Sequence, residues 1–413
     1  MGDSSSGSQN SPRVRTLEEV QACFLGAAEV LPFEQVPLRE SLGRFLASQA
    51  VAQVSNPVED SVGLDGFAVQ SKDTARAGAE LRIVGRGFPG HPFATALESG
   101  EAVVVATGAT LPEGADAVVP LEEVESLPGD PSRIRLLNRV RPWQSVRFRG
   151  EDVAEGQPLL SAGQRVGPGG IALMASAGIN TVTVHHRPRV AILPTGSELT
   201  PVGQVLGPGR VFDGNTPMLE SLLSALGAQL SVFPAVPDDP VMLESALRDA
   251  LLSTDLLVTT GGASVGEPDL VRKALQKLGA RVHDGPLGIK PGKPFFWAQC
   301  QGRLVAGLPG NPASAWVTAM LLVAPVLRRL SGARDLNLPT VPGVLGEPLS
   351  NPGNRRQFFR VSMGRDGSVR LAGTQASHHI RSLALANGLV DQPAGQQWPE
   401  GTSVPVIRWD LWE

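Results

Sequence analysis

The stretch that decides the fold of this chain runs from residue 255 to residue 312 and reads DLLVTTGGASVGEPDLVRKALQKLGARVHDGPLGIKPGKPFFWAQCQGRLVAGLPGNP. It begins with an apolar run, residues 256–260, whose length and composition predict a buried strand. The run leads into a glycine-rich turn at residues 261–266, where the backbone can approach a ligand closely. A helix is predicted over residues 270–278, just after Pro268. This order indicates an open α/β sheet with a ligand site at the carboxyl ends of its strands.

Two further loops in this stretch combine glycine and proline. The first is KPGKP at residues 290–294, and the second is LPGNP at residues 308–312. The stretch holds seven Lys/Arg and four Asp/Glu, whereas the whole chain carries a net charge of −4. A locally basic segment in an acidic chain favours an anionic ligand. The sequence has no P-loop and no Gly-x-Gly-x-x-Gly after a strand, so we expect neither NAD nor ATP of the kinase type.

Length and composition narrow the class of protein. A chain of 413 residues is too long for one ordinary core, so two to four domains are expected. With 42% hydrophobic and 18% charged residues, the composition is that of a globular protein in water. Its net charge argues against a nucleic-acid partner, and its apolar runs are too short for a membrane span. Two cysteines and a polar N-terminus without a signal peptide predict a cytoplasmic location.

Hydrophobic patterning divides the chain into segments of different type, so the fold class is α/β plus β. Four alternations of strand and helix after residue 188 predict a parallel doubly wound α/β domain. Short Val/Ile-rich runs separated by turns predict β structure before and after that domain. The expected units are a disordered tail (1–13), an N-terminal linker domain (14–55 and 146–187), an inserted small β domain (56–145), the α/β domain (188–334) and a C-terminal β barrel (335–413).

Acidic residues follow three successive strands of the predicted α/β domain. They are Glu198, Asp238 and Asp269, and Lys290 and Lys293 lie in the KPGKP loop. Because the carboxyl ends of parallel strands are neighbours, these side chains are expected to line one crevice. Carboxylates suit Mg²⁺, while lysines and the amides of a glycine turn suit a phosphate ester. Helix capping is the alternative role for Asp238, for the adjacent Asp239 and for Asp269, since each lies at the start of a predicted helix, and the two roles are compatible.

The ordered set of motifs resembles the molybdopterin molybdenumtransferases, the family of MoeA and the gephyrin E domain. Any one motif is weak, but the order and spacing of the set are specific, and the likeness extends from about residue 14 to the end. The motifs are Asp65-Gly66-Phe67-Ala68, Thr107-Gly108, Arg149-Gly150-Glu151-Asp152, Thr195-Gly196-x-Glu198-Leu199, Gly261-Gly262-x-Ser264-Val265-Gly266-x-x-Asp269, Lys290-Pro291-Gly292-Lys293-Pro294, Leu308-Pro309-Gly310-Asn311-Pro312 and Gln375-x-Ser377.

This resemblance implies an elongated subunit with a MogA-like α/β/α domain, and a homodimer with its active site at the subunit interface. It implies Mg²⁺-dependent cleavage of adenylylated molybdopterin, with insertion of molybdate and release of AMP. The implied catalytic residues are Asp65, Asp152, Glu198, Asp238 and Asp269, of which Glu198, Asp238 and Asp269 are also the implied metal ligands. The implied substrate and anion contacts are Thr107, Gly262, Ser264, Gly266, Lys290, Lys293, Pro309, Asn311 and Ser377.

The chain departs from the family pattern in two places that concern anion binding. Pro286 stands where relatives often have a basic residue, and His378 to Arg381 replace a Gly/Ser-rich segment. The choice between molybdate and tungstate therefore stays open. Two other functions also stay open: a pterin-binding scaffold without catalysis, and the molybdopterin adenylyltransferase. The extra N-terminal residues, which include Asp65, argue against the adenylyltransferase function. The adenylyltransferase and molybdoenzymes are candidate partners of the chain.

Overall fold

The computed structural model describes residues 13–261 and 269–409. The α/β domain contains a six-stranded sheet. The second strand along the chain is added on one side of the first, and the later strands are added on the other side. The strands in spatial order are Gln229–Val232, Arg189–Pro194, Leu256–Thr260, Arg303–Leu308, Phe296–Cys300 and Arg281–His283. Strand order therefore reverses between Arg189–Pro194 and Leu256–Thr260, which is the position where doubly wound sheets bind ligands.

Helices cover both faces of this sheet. Val190 and Ile192 pack into one apolar cluster, whereas Ala191 and Leu193 pack into another. Because successive residues of a strand point to opposite faces, the two clusters lie on opposite sides. One face carries the helices Asn215–Ala225 and Pro312–Leu330, and the other carries Pro240–Leu252 and Leu270–Lys277.

The sheet is not parallel throughout, contrary to the expectation for the doubly wound domain. Its first four strands are mutually parallel, but Phe296–Cys300 pairs antiparallel with Arg303–Leu308. The cause is a two-residue hairpin turn at Gln301 and Gly302, both with positive φ (52° and 76°). That backbone matches the right-handed twist of adjoining antiparallel strands. Arg281–His283 then pairs antiparallel with Phe296–Cys300 and completes the edge.

The helix Pro312–Leu330 is long and apolar. It contains a π-helical stretch, Ala319–Val323, between two α-helical segments. By length and composition it could cross a membrane, but 83% of its most apolar window is buried inside the protein. It is therefore accounted for as the core helix of the α/β domain.

The N-terminal part wraps against that core. Its first helix, Leu17–Gly26, begins at a capping box formed by Thr16 and Glu19, and its apolar face joins the cluster of the sheet. A small linker unit follows, in which Phe33–Pro37 pairs with Thr181–His185. Its other elements are the strand pair Ala50–Val51 and Pro158–Leu160, the 3₁₀ turn Leu38–Glu40 and the helix Pro168–Ser176.

An inserted β unit carries a second six-stranded sheet. Its strands in spatial order are Ala117–Pro120, Gly66–Val69, Glu101–Val105, Glu80–Gly87, Asp130–Leu136 and Val124–Leu127. Apolar clusters cover both of its faces. The short pair Ser61–Val62 and Val146–Arg147 closes the unit where the chain enters and leaves it.

The C-terminal region forms a closed five-stranded barrel, as the sequence predicts. Arg356–Met363 pairs with both Ser368–Leu371 and Gly388–Gln392, and this double pairing closes the ring. The remaining barrel strands are Thr340–Leu345 and Ser403–Arg408, with the helix Arg381–Leu385 and the strand pair Leu349–Ser350 and Gln397–Trp398 outside the ring. Arg356 also forms ion pairs with Asp391 and with Glu18 of the first helix, which links the barrel to the N-terminal part.

Candidate functional site

A cavity of about 640 Å³ opens at the carboxyl ends of the central parallel strands. It lies at the reversal of strand order, between the segments that follow Arg189–Pro194 and Leu256–Thr260. The lining residues are Glu198, Leu199, Val211, Phe212, Asp213, Gly214, Asn215, Gly261, Gly310, Asn311, Pro312 and His378.

Gly261 gives the cavity its floor. Its φ is +93°, and a Cβ added there would come within 2.0 Å of the Thr195 carbonyl oxygen. Only glycine therefore lets the chain leave the strand Leu256–Thr260 so close to its neighbour. A Cβ on Gly310 would in turn meet the Gly261 Cα at 3.6 Å, an ordinary contact. The LPGNP loop thus packs directly on the start of the glycine-rich turn.

Asn215 holds two of these loops together. Its side-chain amide donates to the Thr260 hydroxyl at 2.9 Å and to the Gly310 carbonyl at 2.7 Å. Asp213, next to it, accepts from the Thr216 N–H at 3.0 Å and from the Thr216 hydroxyl at 2.6 Å. Sequence reasoning did not select either residue. The signal that could have found them is a pair of Asx residues just before an amphipathic helix.

Two of the predicted acidic residues lie on adjoining loops. Asp238 accepts from the Ser197 N–H at 3.0 Å, and its own N–H donates to the Ser197 hydroxyl at 2.9 Å. Glu198 follows and reaches the cavity, with its carboxylate folded over Gly196. Capping does not explain Asp238, because the helix Pro240–Leu252 is capped by Asp239 instead. Asp238 is therefore a positioned carboxylate that fixes the loop carrying Glu198.

Asp269 lies at the far end of the glycine-rich turn and caps a helix. Its Oδ1 accepts from the Arg272 N–H at 3.0 Å, and its Oδ2 lies 3.3 Å from Arg272 Nε. Arg272 also donates to the Pro294 carbonyl at 2.9 Å, so it connects Asp269 to the KPGKP loop. Burial raises the pKa of Asp269 above its usual value, although the Arg272 N–H and guanidinium oppose that effect. A desolvated carboxyl of this kind is typical of functional sites.

Both lysines of the KPGKP loop are exposed. Lys290 ends a short strand, Ile289–Lys290, that pairs parallel with Arg356–Gln357 of the barrel. Neither Lys290 nor Lys293 takes part in the side-chain hydrogen bonds or ion pairs found over residues 13–261 and 269–409. The loop therefore presents two ammonium groups that the described chain does not neutralise.

The barrel supplies one wall of the cavity. The Ser377 carbonyl accepts from the Ala313 N–H at 3.0 Å, at the start of the core helix, and His378 beside it lines the cavity. Arg360, fully buried in the barrel, donates to the Ala376 and Thr374 carbonyls at 3.2 and 3.1 Å and thereby holds this segment. Burial lowers the pKa of Arg360 to about 10. The sequence did not predict cavity roles for His378 or Arg360.

Asp65, Thr107 and Asp152 lie outside this cavity. Asp65 accepts from both the N–H and the hydroxyl of Thr107, at 2.7 and 2.8 Å, within the inserted β unit. The Thr107 N–H, followed by its hydroxyl, keeps the pKa of Asp65 below the ordinary value. Asp152 accepts from the Asn56 side chain at 3.2 Å. The structure thus pairs Asp65 with Thr107, but no residue of 13–187 lines the cavity.

The remaining predicted residues have different outcomes. Gly262, Ser264 and Gly266 lie outside the described residues. Asn311 lines the cavity, and Pro309 is buried next to it. Within the described ranges, no three His, Cys, Asp or Glu side chains are grouped to hold a metal ion. Glu198, Asp238 and Asp269 therefore do not form a closed protein centre for magnesium.

The two departures from the family pattern also have a place in the structure. The Pro286 carbonyl accepts from the Arg15 N–H at 2.9 Å, so this position joins the N-terminal segment to the α/β domain. Arg381 begins the short helix Arg381–Leu385, which follows the His378 wall of the cavity.

Comparison with known proteins assigns the class of this site. The α/β domain matches the "Probable molybdopterin binding domain" family over residues 191–329. The flanking parts match the "MoeA N-terminal region (domain I and II)" over residues 15–178 and the "MoeA C-terminal region (domain IV)" over residues 342–409. The fold and the cavity therefore define a protein with a molybdopterin-binding domain between two MoeA-type regions.

Full-length relatives narrow this class to one family. The chain is 32% identical to a molybdopterin molybdenumtransferase of Haemophilus influenzae, with 90% of this chain and 93% of the relative aligned. It is 34% identical to molybdopterin molybdenumtransferase 2 of Mycobacterium tuberculosis, over 91% and 94% of the two chains. The crystal structure of a molybdopterin biosynthesis MoeA protein from Pyrococcus horikoshii superposes with a TM-score of 0.83 at 30% identity, covering 97% and 100%. The chain belongs to the molybdopterin molybdenumtransferase family, which confirms the resemblance and the prediction of a transferase.

Proposed function

We propose that this protein inserts molybdate into adenylylated molybdopterin and releases AMP, giving the molybdenum cofactor. The observation that carries the proposal is the cavity at the reversal of strand order, in a chain that aligns with transferases of this family over nine-tenths of its length. The size of the cavity, about 640 Å³, suits a ligand of nucleotide dimensions.

The charges on the segments that follow the strands of the sheet suit a phosphate ester. Of the five charged residues that the sequence places there, only Glu198 lines the cavity within the described chain, whereas Asp238, Asp269, Lys290 and Lys293 do not. Gly310 and Asn311 lie at the start of the helix Pro312–Leu330, where the helix dipole places partial positive charge that favours an anion. The unneutralised Lys290 and Lys293, together with the amides of the glycine-rich turn, would hold phosphate or molybdate oxygens. Asp269 is linked to the KPGKP loop through Arg272, which donates to the Pro294 carbonyl.

Magnesium fits this arrangement only as an ion shared with the substrate. Mg²⁺ is commonly bound by one or two carboxylates together with phosphate oxygens and water. Glu198 reaches the cavity, Asp238 fixes the loop that carries Glu198, and Asp269 precedes the helix Leu270–Lys277. We assign the ion to these carboxylates and to the substrate phosphates. When bound, it would neutralise charge on the phosphate that leaves with AMP.

The protein residues would then position and activate the reacting groups. Glu198 and Asp238 would orient the water or oxyanion that attacks the adenylate phosphorus, and the lysines would stabilise negative charge on it. The phosphorus–oxygen bond to the pterin phosphate breaks and AMP leaves. Two Mo–S bonds then form with the dithiolene, as one oxygen of molybdate leaves as water with the two thiol protons. Asn311 and Ser377 lie at the same helix start and would contact the anion.

Asp65, Thr107 and Asp152 would complete the site from a second subunit. Asp65 and Thr107 lie on the inserted β unit and Asp152 lies just after it, and none of these segments lines the cavity of its own chain. A homodimer in which this unit faces the partner's cavity would bring carboxylates to the open side of the substrate. We propose this dimer, a cytoplasmic location, and the adenylyltransferase and molybdoenzymes as further partners.

One experiment tests the reaction. Purified protein is mixed with adenylylated molybdopterin, and AMP release is measured with and without molybdate and Mg²⁺. We expect release only when both are present, and a parallel series with tungstate measures anion preference. Binding of the pterin without AMP release under any condition would instead identify a scaffold. Formation of the adenylylated pterin from ATP would identify an adenylyltransferase.

A further inference from the structure

A turn in the inserted β unit, residues 141–148, has an unusual backbone. Trp143 and Ser145 have φ values of 62° and 55°, in the left-handed region that side chains other than glycine rarely adopt. Two such residues within three positions cost free energy and persist only when the surroundings fix them. Strain of this kind is concentrated at ligand and switch sites, so this turn is a candidate for a function.

Four backbone hydrogen bonds fix the turn. The Trp143 N–H donates to the Asp116 carbonyl at 2.6 Å, and the Val118 N–H donates to the Gln144 carbonyl at 2.9 Å. The Gln144 N–H donates to the Arg141 carbonyl at 3.1 Å, and the Ser145 carbonyl accepts from the Gly63 N–H at 2.8 Å. The conformation is therefore determined by neighbouring segments and is not a loose loop.

The strained backbone exposes two aromatic rings. The Trp143 and Phe148 side chains are 50% and 44% exposed, and their centroids lie 5.5 Å apart at 56°. Neither ring belongs to the apolar clusters identified over the described residues. Burial in the core of this chain therefore does not account for them. Trp and Phe rings that remain in water offer faces on which a planar group can stack.

Positive charge accompanies the rings. Arg141 and Arg147 occur in the same turn, and no ion pair found over residues 13–261 and 269–409 includes either of them. Arg149, two residues further, pairs with Glu155 at 3.5 Å. Exposed aromatic faces together with unpaired guanidinium groups match a ligand that is both planar and anionic.

The turn is built against the segment that carries Asp65. Val146 and Arg147 pair antiparallel with Val62 and Ser61, and Gly63 is bonded to Ser145. A Cβ on Gly63 would lie 2.8 Å from the Ser145 carbonyl oxygen, so the two segments are in close contact. Asp65 follows two residues later. The aromatic turn and the Asp65–Thr107 pair thus share one structural unit.

We propose that Trp143 and Phe148 form a stacking platform for the planar heterocycle of the anionic substrate, with Arg141 and Arg147 supplying charge. The inference rests on the proposed function, since it places the platform on the unit that would face the partner's cavity. It adds two substrate-contact residues that the family motifs did not include. The heterocycle is either the adenine or the pterin ring, and the two can be separated by experiment.

The test uses the full-length protein and two probes, AMP and adenylylated molybdopterin, with binding measured by calorimetry. Trp143→Gly and Trp143→Ala both remove the ring, but only glycine adopts the observed φ without strain. We expect each to weaken binding by about tenfold or more, from the value of one stacked base. Trp143→Gly should leave Tm unchanged or raise it, while Trp143→Ala keeps the backbone strain and should not raise Tm. Phe148→Ala should weaken binding of the same probe.

Phe33→Ala is the matched control, since Phe33 is an exposed ring, 65% accessible, on the linker unit. Weaker binding of AMP assigns the platform to adenine, and an effect confined to the adenylylated pterin assigns it to the pterin ring. Unchanged affinity for both probes in all three platform variants overturns the inference. The inference is also overturned if the variants only dissociate the dimer and bind both probes normally at saturating protein concentration. If wild-type protein itself neither binds the probes nor releases AMP, the proposed function has failed instead.

Discussion

Asp65 Oδ1 accepts two hydrogen bonds from Thr107, one from its backbone N–H at 2.7 Å and one from its hydroxyl at 2.8 Å. The pairing fixes an exposed carboxylate on the rim of the inserted β unit. Because both bonds favour the charged form, the pKa of Asp65 is lowered, and the carboxylate stays ionised down to acidic pH. An ionised, oriented carboxylate that does not line its own chain's cavity is consistent with a role opposite the cavity of a second subunit.

Asp65→Asn tests that role. The variant keeps an oxygen that can accept hydrogen bonds from Thr107 but removes the charge, so we expect it to fold and to form the same dimer. AMP release should fall by at least about a hundredfold, as expected for a residue that acts on the reaction. The measurements are AMP release, sedimentation velocity and thermal unfolding. Asp73→Asn, which alters another bonded carboxylate of the same unit, is the control. Turnover near that of wild type in Asp65→Asn would exclude a catalytic role.

A second prediction concerns Asp269, whose pKa burial raises above the unfolded value. For a group with a raised folded pKa, the stabilising contribution is fully present below the unfolded pKa, near 3.8, and is lost as pH rises through the folded value. Wild-type protein should therefore lose stability over the pH range just above 3.8. Asp269→Asn is neutral throughout, so its Tm should vary less over that range and be at least as high at pH 7.

The same Asn variant separates capping from catalysis. Asn can still cap the helix Leu270–Lys277, so fold and dimer should be retained. We expect AMP release to fall sharply, because the charge is what a metal or phosphate site requires. A variant that keeps full turnover would leave Asp269 with the capping role alone.

Lys290→Ala is expected to weaken substrate binding with little change in Tm. The Lys290 side chain is exposed and makes no ion pair among the described residues, so its removal costs the fold little. A lost charge contact to phosphate should lower affinity for adenylylated molybdopterin by about tenfold or more. Lys273→Ala, an exposed lysine on the helix Leu270–Lys277, is the control. A comparable drop in Tm for Lys290→Ala would indicate a structural role.

The sequence predicted the central α/β domain and the barrel in the C-terminal region. Local signals were enough where a capping box started the first helix at Thr16, and where alternating apolar runs marked the closed C-terminal barrel. They failed at Phe296–Cys300, since its direction depends on a hairpin turn at Gln301 whose positive φ the sequence Gln-Gly only weakly signals. The four predicted alternations match the four parallel strands, and the sequence did not reveal that antiparallel strands extend the same sheet.

The cavity itself was harder to predict, because its lining comes from segments far apart in the chain. Glu198 and Asn311 were found from motifs, but His378 reaches the cavity only because the barrel packs on the start of the core helix. Arg360 holds the segment before His378 by donating to the Thr374 and Ala376 carbonyls from a buried position, and no local sequence pattern reveals such contacts. Long-range packing decided these positions, and a single sequence does not display it.

Gly261→Ala tests the packing at the floor of the cavity. The substitution places a Cβ 2.0 Å from the Thr195 carbonyl oxygen at a φ of +93°, so strain and a backbone clash act together. Left-handed strain costs about 1–2 kcal/mol, and the overpacked contact adds about 1–3 kcal/mol. Because the floor must move to relieve the clash, AMP release should be lost as well. The measurements are denaturant unfolding and AMP release.

Two other glycines separate these effects. Gly279→Ala, at a φ of +82° with nothing within 4 Å of the added Cβ, should show the strain cost alone and keep activity. Gly310→Ala adds a Cβ that meets Gly261 at an ordinary 3.6 Å, so the fold should tolerate it while the methyl group narrows the cavity. Equal losses of unfolding free energy in Gly261→Ala and Gly279→Ala would show that the Thr195 contact is not what requires glycine at the cavity floor.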